Sequence, residues 1–311
     1  MSVGQSVAYY LVLMACRLVA IWPDCVLFGV FRPILTFVVY RVARYRLAVV
    51  RDNLSKSFPE KSTEELRQIE RKFYRNFAEL LLATINLTVT SPQKQQARLT
   101  ITTDVKDIVA DPRHAIIMLG HFGCWEYLPA FPMSKYGFDL VCVYRQLTNP
   151  VMDRLMRYIR GRMGGITVER RQVLRYYLQR RDKGHMLVGL ISDQTPRRDP
   201  KHHWIKFLGR PTMFVRGAEF MATKYGMPVY FLGVERVSPT RYNYTLETIY
   251  DGTENVSDFE ITERYVAKLE EQIRRTPDMW LWTHRRWKRR MDPISEKDYY
   301  ERYPEERADE V

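Results

Sequence analysis

After residue 101 the chain alternates short apolar runs with longer helical stretches, and this pattern most constrains the fold. Apolar runs at 115–119, 140–144, 186–191 and 229–234 predict strands, and residues 244–250 add a later one. Helical periodicity falls near 125–136, 150–163, 171–182, 213–225 and 258–275, and earlier over 63–87. Such alternation is typical of parallel strands covered by helices. We therefore predict an α/β fold with a mostly parallel central sheet.

The most hydrophobic part of the chain is residues 7–40, where Pro23 and Asp24 separate two apolar stretches. Each stretch is near or below the roughly 17–25 residues that span a bilayer. The pattern fits one tilted membrane helix with a second helix in the interface, a re-entrant pair, or two apolar helices docked on the core. Arginines at 41, 44, 46 and 51 would hold the following part on the cytoplasmic side. We predict an N-terminal membrane anchor over 1–45 and a cytoplasmic domain over 46–311.

Charge and cysteine content limit the partners. Lys plus Arg exceed Asp plus Glu by 13, which predicts attraction to nucleic acid, an anionic membrane surface or an acidic carrier protein. The four cysteines form no C-x-x-C pair and are typical of reduced thiols in a cytoplasmic domain. Zinc-ligand spacings are absent from the sequence, so we expect no metal site.

A histidine follows the first of these predicted strands. His121 comes directly after Gly120, and four residues separate it from Glu126. In open α/β sheets, sites gather at the carboxyl ends of strands. If a helix starts here, the Glu126 carboxylate can fold back onto one ring nitrogen and leave the other free to accept a proton. A structural histidine beside a helix-capping glutamate is the alternative.

Arginine is concentrated in residues 144–171, around a helix predicted to begin at Pro150. Its planar guanidinium suits phosphate and carboxylate groups. A solvated basic face would explain any single arginine, but as a group they are expected to meet an anion. The candidate binding residues are Arg145, Arg160, Arg162 and Arg170.

Asp193 and Gln194 close the strand predicted at 186–191. They should face the same end of the sheet as His121, although a turn-forming Asp-Gln pair is an equal alternative. We include both among the candidate substrate-binding residues.

Downstream segments show a mixed pattern. Residues 280–290 interleave tryptophans with cations, which suits a membrane interface or single-stranded nucleic acid. His284 lies within them, and we expect it to have a packing role rather than a site role. Residues 206–209 are expected to form an exposed apolar loop, and the tail after Pro293 to be loosely attached.

Several catalytic patterns are absent from the sequence. It contains no G-x-S-x-G, no P-loop and no G-x-G-x-x-G. Cys124 lies three residues after His121, but a thiol between aromatic neighbours is expected to pack under the turn. A histidine base without a protein nucleophile indicates that the substrate supplies the nucleophile, such as a hydroxyl.

The chain resembles the late acyltransferases of lipid A biosynthesis, the lauroyl/myristoyl transferase branch of the lysophospholipid acyltransferase superfamily. The resemblance runs from about residue 7 to 290. Its matching stretches, in order, are the apolar N-terminus, Arg51-Asp52-Asn53-Leu54, Phe58-Pro59, His121-Phe122 through Glu126, Tyr144-Arg145, Asn149-Pro150, Arg160-x-Arg162, Glu169-Arg170, Asp193-Gln194 and His284-Arg285-Arg286-Trp287.

This resemblance implies a glycerolipid acyltransferase-like fold and an O-acyltransferase without a cofactor. It implies that His121 is the general base on an acceptor hydroxyl and that Glu126 orients it. The donor would be a thioester on acyl carrier protein, and the acceptor a 3-hydroxyacyl chain on a phosphorylated glucosamine disaccharide. Arg160 and Arg170 would hold phosphate or the developing oxyanion. The enzyme would work at the bacterial inner membrane with its catalytic domain facing the cytoplasm.

Two alternatives remain open at this point. One keeps the chemistry but acts on another inner-membrane lipid, a lysophospholipid or aminolipid. The other is a basic nucleic-acid-binding protein. We disfavour it and expect no nucleic-acid partner, because such a protein has no need of the apolar block at 7–40.

Overall fold

The structure, a computed structural model, describes residues 2–196 and 203–306. Residue 1 and residues 307–311, the outer ends of the two predicted units, lie outside the described residues. One hydrophobic core extends through most of the described chain.

Helices and strands alternate over most of the chain. The helices are α1 (Val3–Ala20), α2 (Asp24–Val42), α3 (Leu47–Ser57), α4 (Thr63–Asn86), α5 (Pro92–Gln96), α6 (Lys106–Ala110), α7 (Pro150–Arg162), α8 (Val173–Arg180), α9 (Gly217–Tyr225), α10 (Glu260–Arg275) and α11 (Pro293–Arg302). The strands are β1 (Leu99–Ile101), β2 (Ala115–Leu119), β3 (Phe138–Tyr144), β4 (Ile166–Glu169), β5 (His185–Ile191), β6 (His203–Phe207), β7 (Arg210–Phe214), β8 (Val229–Ser238) and β9 (Arg241–Tyr250). Shorter 3-10 turns cover Trp125–Ala130, Pro132–Tyr136, Arg170–Gln172 and Pro277–Met279.

Seven strands form one sheet in the order β1-β9-β8-β2-β5-β3-β4. All neighbours are parallel except β8 and β9, which pair antiparallel. The α/β prediction is therefore confirmed. Because β2, β3, β4 and β5 run in the same direction, the residues that directly follow them lie along one edge, here called the carboxyl edge. Functional residues that follow different strands are thereby brought together.

The core is centred on β2. All five residues of β2 are buried, and the strand pairs with β5 on one side and β8 on the other. A strand enclosed in this way needs a continuous apolar sequence, which is why AIIML shows no alternation. On one side α10 buries Ile261, Tyr265 and Leu269. Each fully buried aliphatic or aromatic side chain of this kind contributes roughly 1.5–3 kcal/mol.

The long helix α4 forms as its sequence predicts. Ser62 and Glu65 make a reciprocal capping box that satisfies two free backbone donors at its start. Its inner face carries two buried carboxylates, Glu70 and Glu79, which are 2% exposed. A buried carboxylate must be paired, and both are paired with residues of other segments.

The N-terminal helices α1 and α2 dock on α4 and α7. Glu79 accepts from Arg32 of α2 at 3.0 Å and from Arg236 of β8 at 2.8 Å. Three more contacts join the same two helices to the rest of the chain: Tyr40–Glu70 at 2.7 Å, Arg98–Asp24 at 2.5 Å and Arg17–Tyr158 at 2.7 Å. Most of the surface of both helices faces away from the core: 17% of the α1 residues and 11% of those in α2 are buried. Both helices are long and apolar enough to cross a membrane by length and composition.

Residues 125–136 differ from the helix that was predicted there. They form two 3-10 turns, one with Pro129 inside and one opening at Pro132. Proline lacks the backbone N–H that an α-helix needs in its interior, so an α-helix cannot continue through this segment. The predicted helix at 213–225 also begins later, at Gly217, because residues 210–214 are the strand β7.

The region after β5 differs most from expectation. The predicted exposed loop at 206–209 is the end of β6 and the two-residue turn of the β6–β7 hairpin, and Phe207 and Leu208 are fully buried. The predicted loose tail forms α11, whose Tyr299 is buried against Trp204 and Met213 of the hairpin. Two of the three tryptophans in 280–287 are also internal: Trp280 is 2% exposed, Trp282 is not exposed at all, and Trp287 is half-buried. Trp280 and Trp282 are therefore part of the core and cannot form the predicted membrane-interface or nucleic-acid surface.

Candidate active site at the carboxyl edge of the sheet

His121 lies at the carboxyl edge, two residues past the end of β2. The residue between, Gly120, sits where a Cβ would be 2.6 Å from Leu269 Cδ1 and 3.3 Å from Asp193 Oδ2. A side chain at position 120 would therefore displace the Leu269 side chain of α10 and crowd the Asp193 carboxylate. The glycine lets the backbone of the histidine turn pass close to a carboxylate that follows the neighbouring strand.

Asp193 is the carboxylate that contacts the histidine. Its Oδ1 lies 2.6 Å from His121 Nδ1, and its Oδ2 accepts from the His121 backbone N–H at 2.7 Å. Trp280 Nε1 donates to the same Oδ2 at 2.7 Å. β2 and β5 are adjacent parallel strands, so residues just past their ends meet. The prediction that Asp193 and His121 face the same end of the sheet is confirmed, but their direct pairing was not foreseen.

The charge state of Asp193 follows from this environment. Burial alone would raise its pKa, but the attraction of His121 and the hydrogen bonds from His121 and Trp280 outweigh burial and hold the pKa below 3.8. An ionised carboxylate can only accept hydrogen bonds. His121 Nδ1 therefore carries a hydrogen and donates it to Asp193.

The other ring nitrogen of His121 faces the mouth of the site. Gln194 Nε2 lies 3.1 Å from His121 Nε2, and an amide nitrogen can only donate. Nε2 is thus an unprotonated acceptor in this arrangement. The ring packs edge-on against Trp125, with centroids 4.8 Å apart, and its side chain is 16% exposed. A neutral imidazole with a reachable acceptor nitrogen can take a proton from a bound group.

Glu126 does not contact His121 as the sequence pattern predicted. Its carboxylate accepts from Arg160 Nε at 2.8 Å and Nη2 at 2.5 Å, and from Trp125 Nε1 at 3.1 Å. The reason is local: Gly123 adopts φ +59° and a 3-10 turn follows, so the fold-back geometry of an α-helix never forms. Glu126 reaches the histidine only through Trp125.

Arg160 is therefore already paired. Burial would lower the pKa of its guanidinium, but the charge and hydrogen bonds of Glu126 raise that pKa above its ordinary value. The bidentate contact is a strong form of ion pair. Arg162 is also occupied: Nη1 and Nη2 donate to the carbonyls of Thr90 and Val89 at 2.8 and 3.2 Å.

Arg145 and Arg170 are the two candidate arginines that face solvent at the carboxyl edge. β3 and β4 are parallel neighbours whose last register pair is Tyr144 and Glu169, so Arg145 and Arg170 come next on adjacent strands. Both are exposed, and neither has an acidic partner among the residues that the structure describes. Strands lie about 4.8 Å apart, so the order β2-β5-β3-β4 puts Arg145 about two strands from His121.

A segment from the C-terminal part of the chain, residues 279–286, makes hydrogen bonds to the site. We call this segment the brace. The backbone N–H of Gly123 donates to Met279 O, and that of Leu281 donates to His121 O, both at 3.0 Å. With the Trp280 bond to Asp193, both members of the His121–Asp193 pair are fixed by it. This role was not predictable from the sequence, because tryptophans interleaved with cations indicated an exposed surface instead.

Cys124 and Cys142 are both buried. Desolvation raises the pKa of Cys124 well above its ordinary value and that of Cys142 to about 12. Both are therefore thiols at neutral pH and poor nucleophiles. Among the residues that the structure describes, no group of three His, Cys, Asp or Glu side chains could hold a metal ion.

Comparison with known proteins gave consistent matches. A model of the family described as bacterial lipid A biosynthesis acyltransferase matches residues 2–289. Lipid A biosynthesis acyltransferase 2 of Shigella flexneri is 26% identical over 148 residues, 47% of this chain and 46% of that protein. The lipid A biosynthesis myristoyltransferase of Escherichia coli (strain K12) is 25% identical over 136 residues, 43% of this chain and 42% of that protein. Each alignment covers less than half of the curated relative.

The 1-acyl-sn-glycerophosphate acyltransferase PlsC from Thermotoga maritima aligns with a TM-score of 0.35 and 14% identity, over 80% of this chain and 97% of that one.

Proposed function

The chain belongs to the bacterial lipid A biosynthesis acyltransferase family, and from this premise we propose that it transfers a fatty acyl chain from an acyl carrier protein thioester to a hydroxyl of a lipid A precursor. The observation that carries the proposal is the His121 imidazole, which Asp193 orients at Nδ1 and whose Nε2 is an acceptor, where the substrate hydroxyl would replace the Gln194 amide. A base so oriented suits the activation of an alcohol that the substrate supplies.

The reaction then follows from the tautomer. His121 Nε2 takes the hydroxyl proton as the hydroxyl oxygen attacks the thioester carbonyl carbon. The carbon–sulfur bond breaks, and the imidazolium returns its proton to the departing thiolate. Asp193 stabilises the transient imidazolium, because an ionised carboxylate 2.6 Å from Nδ1 favours the charged ring. The products are an ester and a free thiol.

In this proposal Glu126 is a positioning residue. It holds Trp125 through the indole N–H, and Trp125 packs against the His121 ring. Arg160 neutralises Glu126 from the other side. Glu126 thus supports the His121 ring through Trp125, and Arg160 holds Glu126 in place.

Arg145 and Arg170 are proposed to bind a phosphate of the acceptor. Two exposed guanidinium groups on adjacent strands repel each other when no anion is present, and an arginine pair is well shaped for phosphate. A phosphate bound there would lie roughly two strand spacings, about 10 Å, from the reacting hydroxyl. The excess of 13 positive charges also favours an acidic carrier protein as donor.

We propose that residues 1–45 anchor the enzyme at the inner membrane with the catalytic domain in the cytoplasm. The support is the outward apolar surface of α1 and α2, which includes exposed Leu11, Met14, Leu18, Ile34 and Phe37. A large contiguous apolar surface of this kind is typical of a membrane or protein contact. Arg41 and Arg44 follow at the end of α2 and are exposed, as expected for a cytoplasmic flank.

The direct test is acyl transfer by the purified full chain, with acyl carrier protein thioester and a lipid A precursor, followed by mass spectrometry. His121→Ala should lose about 10²–10⁴-fold in turnover, the usual contribution of a general base. The matched control is His185→Ala, since His185 begins β5 at the opposite edge of the sheet. Equal turnover of the two variants would refute the assignment of His121 as the base.

A further inference from the structure

His284 occupies a position that the proposed reaction does not yet use. It belongs to the brace, and its ring lies beside the turn that follows β5. His284 Nε2 is 3.1 Å from the backbone nitrogen of Thr195 and 3.2 Å from its Oγ1. Thr195 is two residues after Asp193 and directly follows Gln194.

The hydrogen bond with Thr195 fixes the protonation state of His284. A backbone N–H can only donate, so Nε2 must be unprotonated and accept. Burial lowers the pKa of His284 to about 4, with the charges of Arg286, His121 and Lys288 acting in the same direction and Asp193 opposing them. His284 is therefore a neutral acceptor throughout the neutral range.

The backbone of His284 is held as firmly as its ring. Asn53 of α3 is buried, and its Nδ2 donates to the carbonyls of Trp282 and His284 at 2.8 and 2.9 Å. Arg46 donates to the carbonyl of Thr283 at 3.0 Å. The imidazole is thus presented to Thr195 from a fixed support.

The turn that His284 holds carries both partners of the His121 ring. The last sheet bond of β5 is from Ser192 N–H to Leu119 O at 3.2 Å. Beyond it, Asp193 meets Nδ1 of His121 and Gln194 meets Nε2. The Thr195 contact closes this turn at its far end, and the Thr195 hydroxyl adds a bond to the carbonyl of Arg286 at 2.6 Å.

We propose that His284 is a positioning residue for catalysis: as a neutral acceptor for the Thr195 N–H, it fixes the turn that sets Asp193 and Gln194 on the two nitrogens of His121. The inference rests on the proposed role of His121 as the base. In this role His284 does not contact the substrate, so replacing it should lower turnover and leave substrate affinity unchanged.

The test compares His284→Ala with His284→Gln and with a matched control. His114 makes the same kind of bond, since its Nδ1 accepts the backbone N–H of Met186 at 3.0 Å, but at the amino end of β5. His114→Ala therefore removes an equivalent bond far from the site. Turnover is measured per folded molecule, together with KM for both substrates.

We expect His284→Ala to lower kcat about 10²-fold, the usual effect of misplacing a catalytic group by about 1 Å, with KM unchanged. His284→Gln should restore most of the activity, since its side-chain oxygen can accept the same N–H.

Three results would overturn the inference: near-wild-type kcat in His284→Ala, a loss no larger than in His114→Ala, or no recovery in His284→Gln. Should the alanine variant fail to fold, the glutamine variant decides: near-wild-type kcat with unchanged KM supports the role, and a loss as large as that of His121→Ala refutes it. Activity retained in His121→Ala would instead refute the proposed function, so the two failures can be told apart.

Discussion

Replacing Asp193 with asparagine tests the site with a change of one atom. Two donors, the His121 backbone N–H and Trp280 Nε1, point at Oδ2, so the amide oxygen of the introduced asparagine should take that position. The amide nitrogen then faces His121 Nδ1, where the structure has Oδ1. Two donors cannot face each other, so the ring must move its hydrogen from Nδ1 to Nε2. Nε2 then cannot accept the proton of a hydroxyl.

The size of the loss follows from the role of the base. General-base catalysis contributes about 10²–10⁴-fold, which corresponds to about 2.7–5.4 kcal/mol at 1.36 kcal/mol per tenfold. We expect Asp193→Asn to lower kcat by this amount with little change in KM. The assay follows release of free thiol from the acyl carrier protein thioester, normalised to folded protein.

Asp278→Asn is the control for that variant. Asp278 also accepts a side-chain hydrogen bond, from Asn76 at 2.7 Å, but it does not contact His121. It should keep near-wild-type turnover. If Asp193→Asn keeps it too, the tautomer argument is wrong and His121 is oriented by some other group.

Further variants test the surroundings of the pair. Arg160→Ala should destabilise the fold by about 3–5 kcal/mol, the usual cost of leaving one member of a buried ion pair alone. Glu126→Gln should cost less, because the amide oxygen of the introduced glutamine can still accept a hydrogen bond from the Arg160 guanidinium; chemical denaturation measures both. Arg145→Ala and Arg170→Ala should each raise KM for the phosphorylated acceptor, while Arg157→Ala, whose guanidinium pairs with Asp153, should not; equal KM values in all three would argue against a phosphate site. The folded-state pKa of Asp193 is depressed below 3.8, so its stabilising contribution is present above that pH and is lost as the pH falls through the folded value. The difference in the free energy of unfolding between wild type and Asp193→Asn should therefore become smaller in acid. A larger difference there would contradict the ionised state assigned to Asp193.

The strands of the sheet were predictable because burial on both faces demands apolar runs. β2, β3, β5 and β8 all begin and end within a few residues of those runs. β1 and β4, with three and four residues, are too short to show a pattern. The β6–β7 hairpin was missed because Phe207, at the end of β6, and Leu208, in the turn, are buried against other parts of the chain, which no local pattern reveals.

The site was half predictable. His121 and Asp193 were expected at one edge, since parallel strands end together. The choice between Glu126 and Asp193 as partner of the ring was not visible, because it depends on the backbone at Gly123 and on which strand lies next to β2. The sequence predicted only a packing role for His284, because its hydrogen-bond partner, Thr195, lies 89 positions away and no local pattern connects the two.

The buried carboxylate of Glu79 has a consequence for how the chain is made. Its two arginine partners lie 47 residues before it and 157 residues after it. Synthesis proceeds from the N-terminus, so α2 can meet Glu79 long before Arg236 has left the ribosome. Contacts of such wide separation form late and slowly. Until β8 is made, the nascent chain must therefore hold Glu79 beside its apolar helices with only one of its two arginine partners in place. At that stage a lipid surface or a chaperone that shields those helices should determine how much enzyme matures.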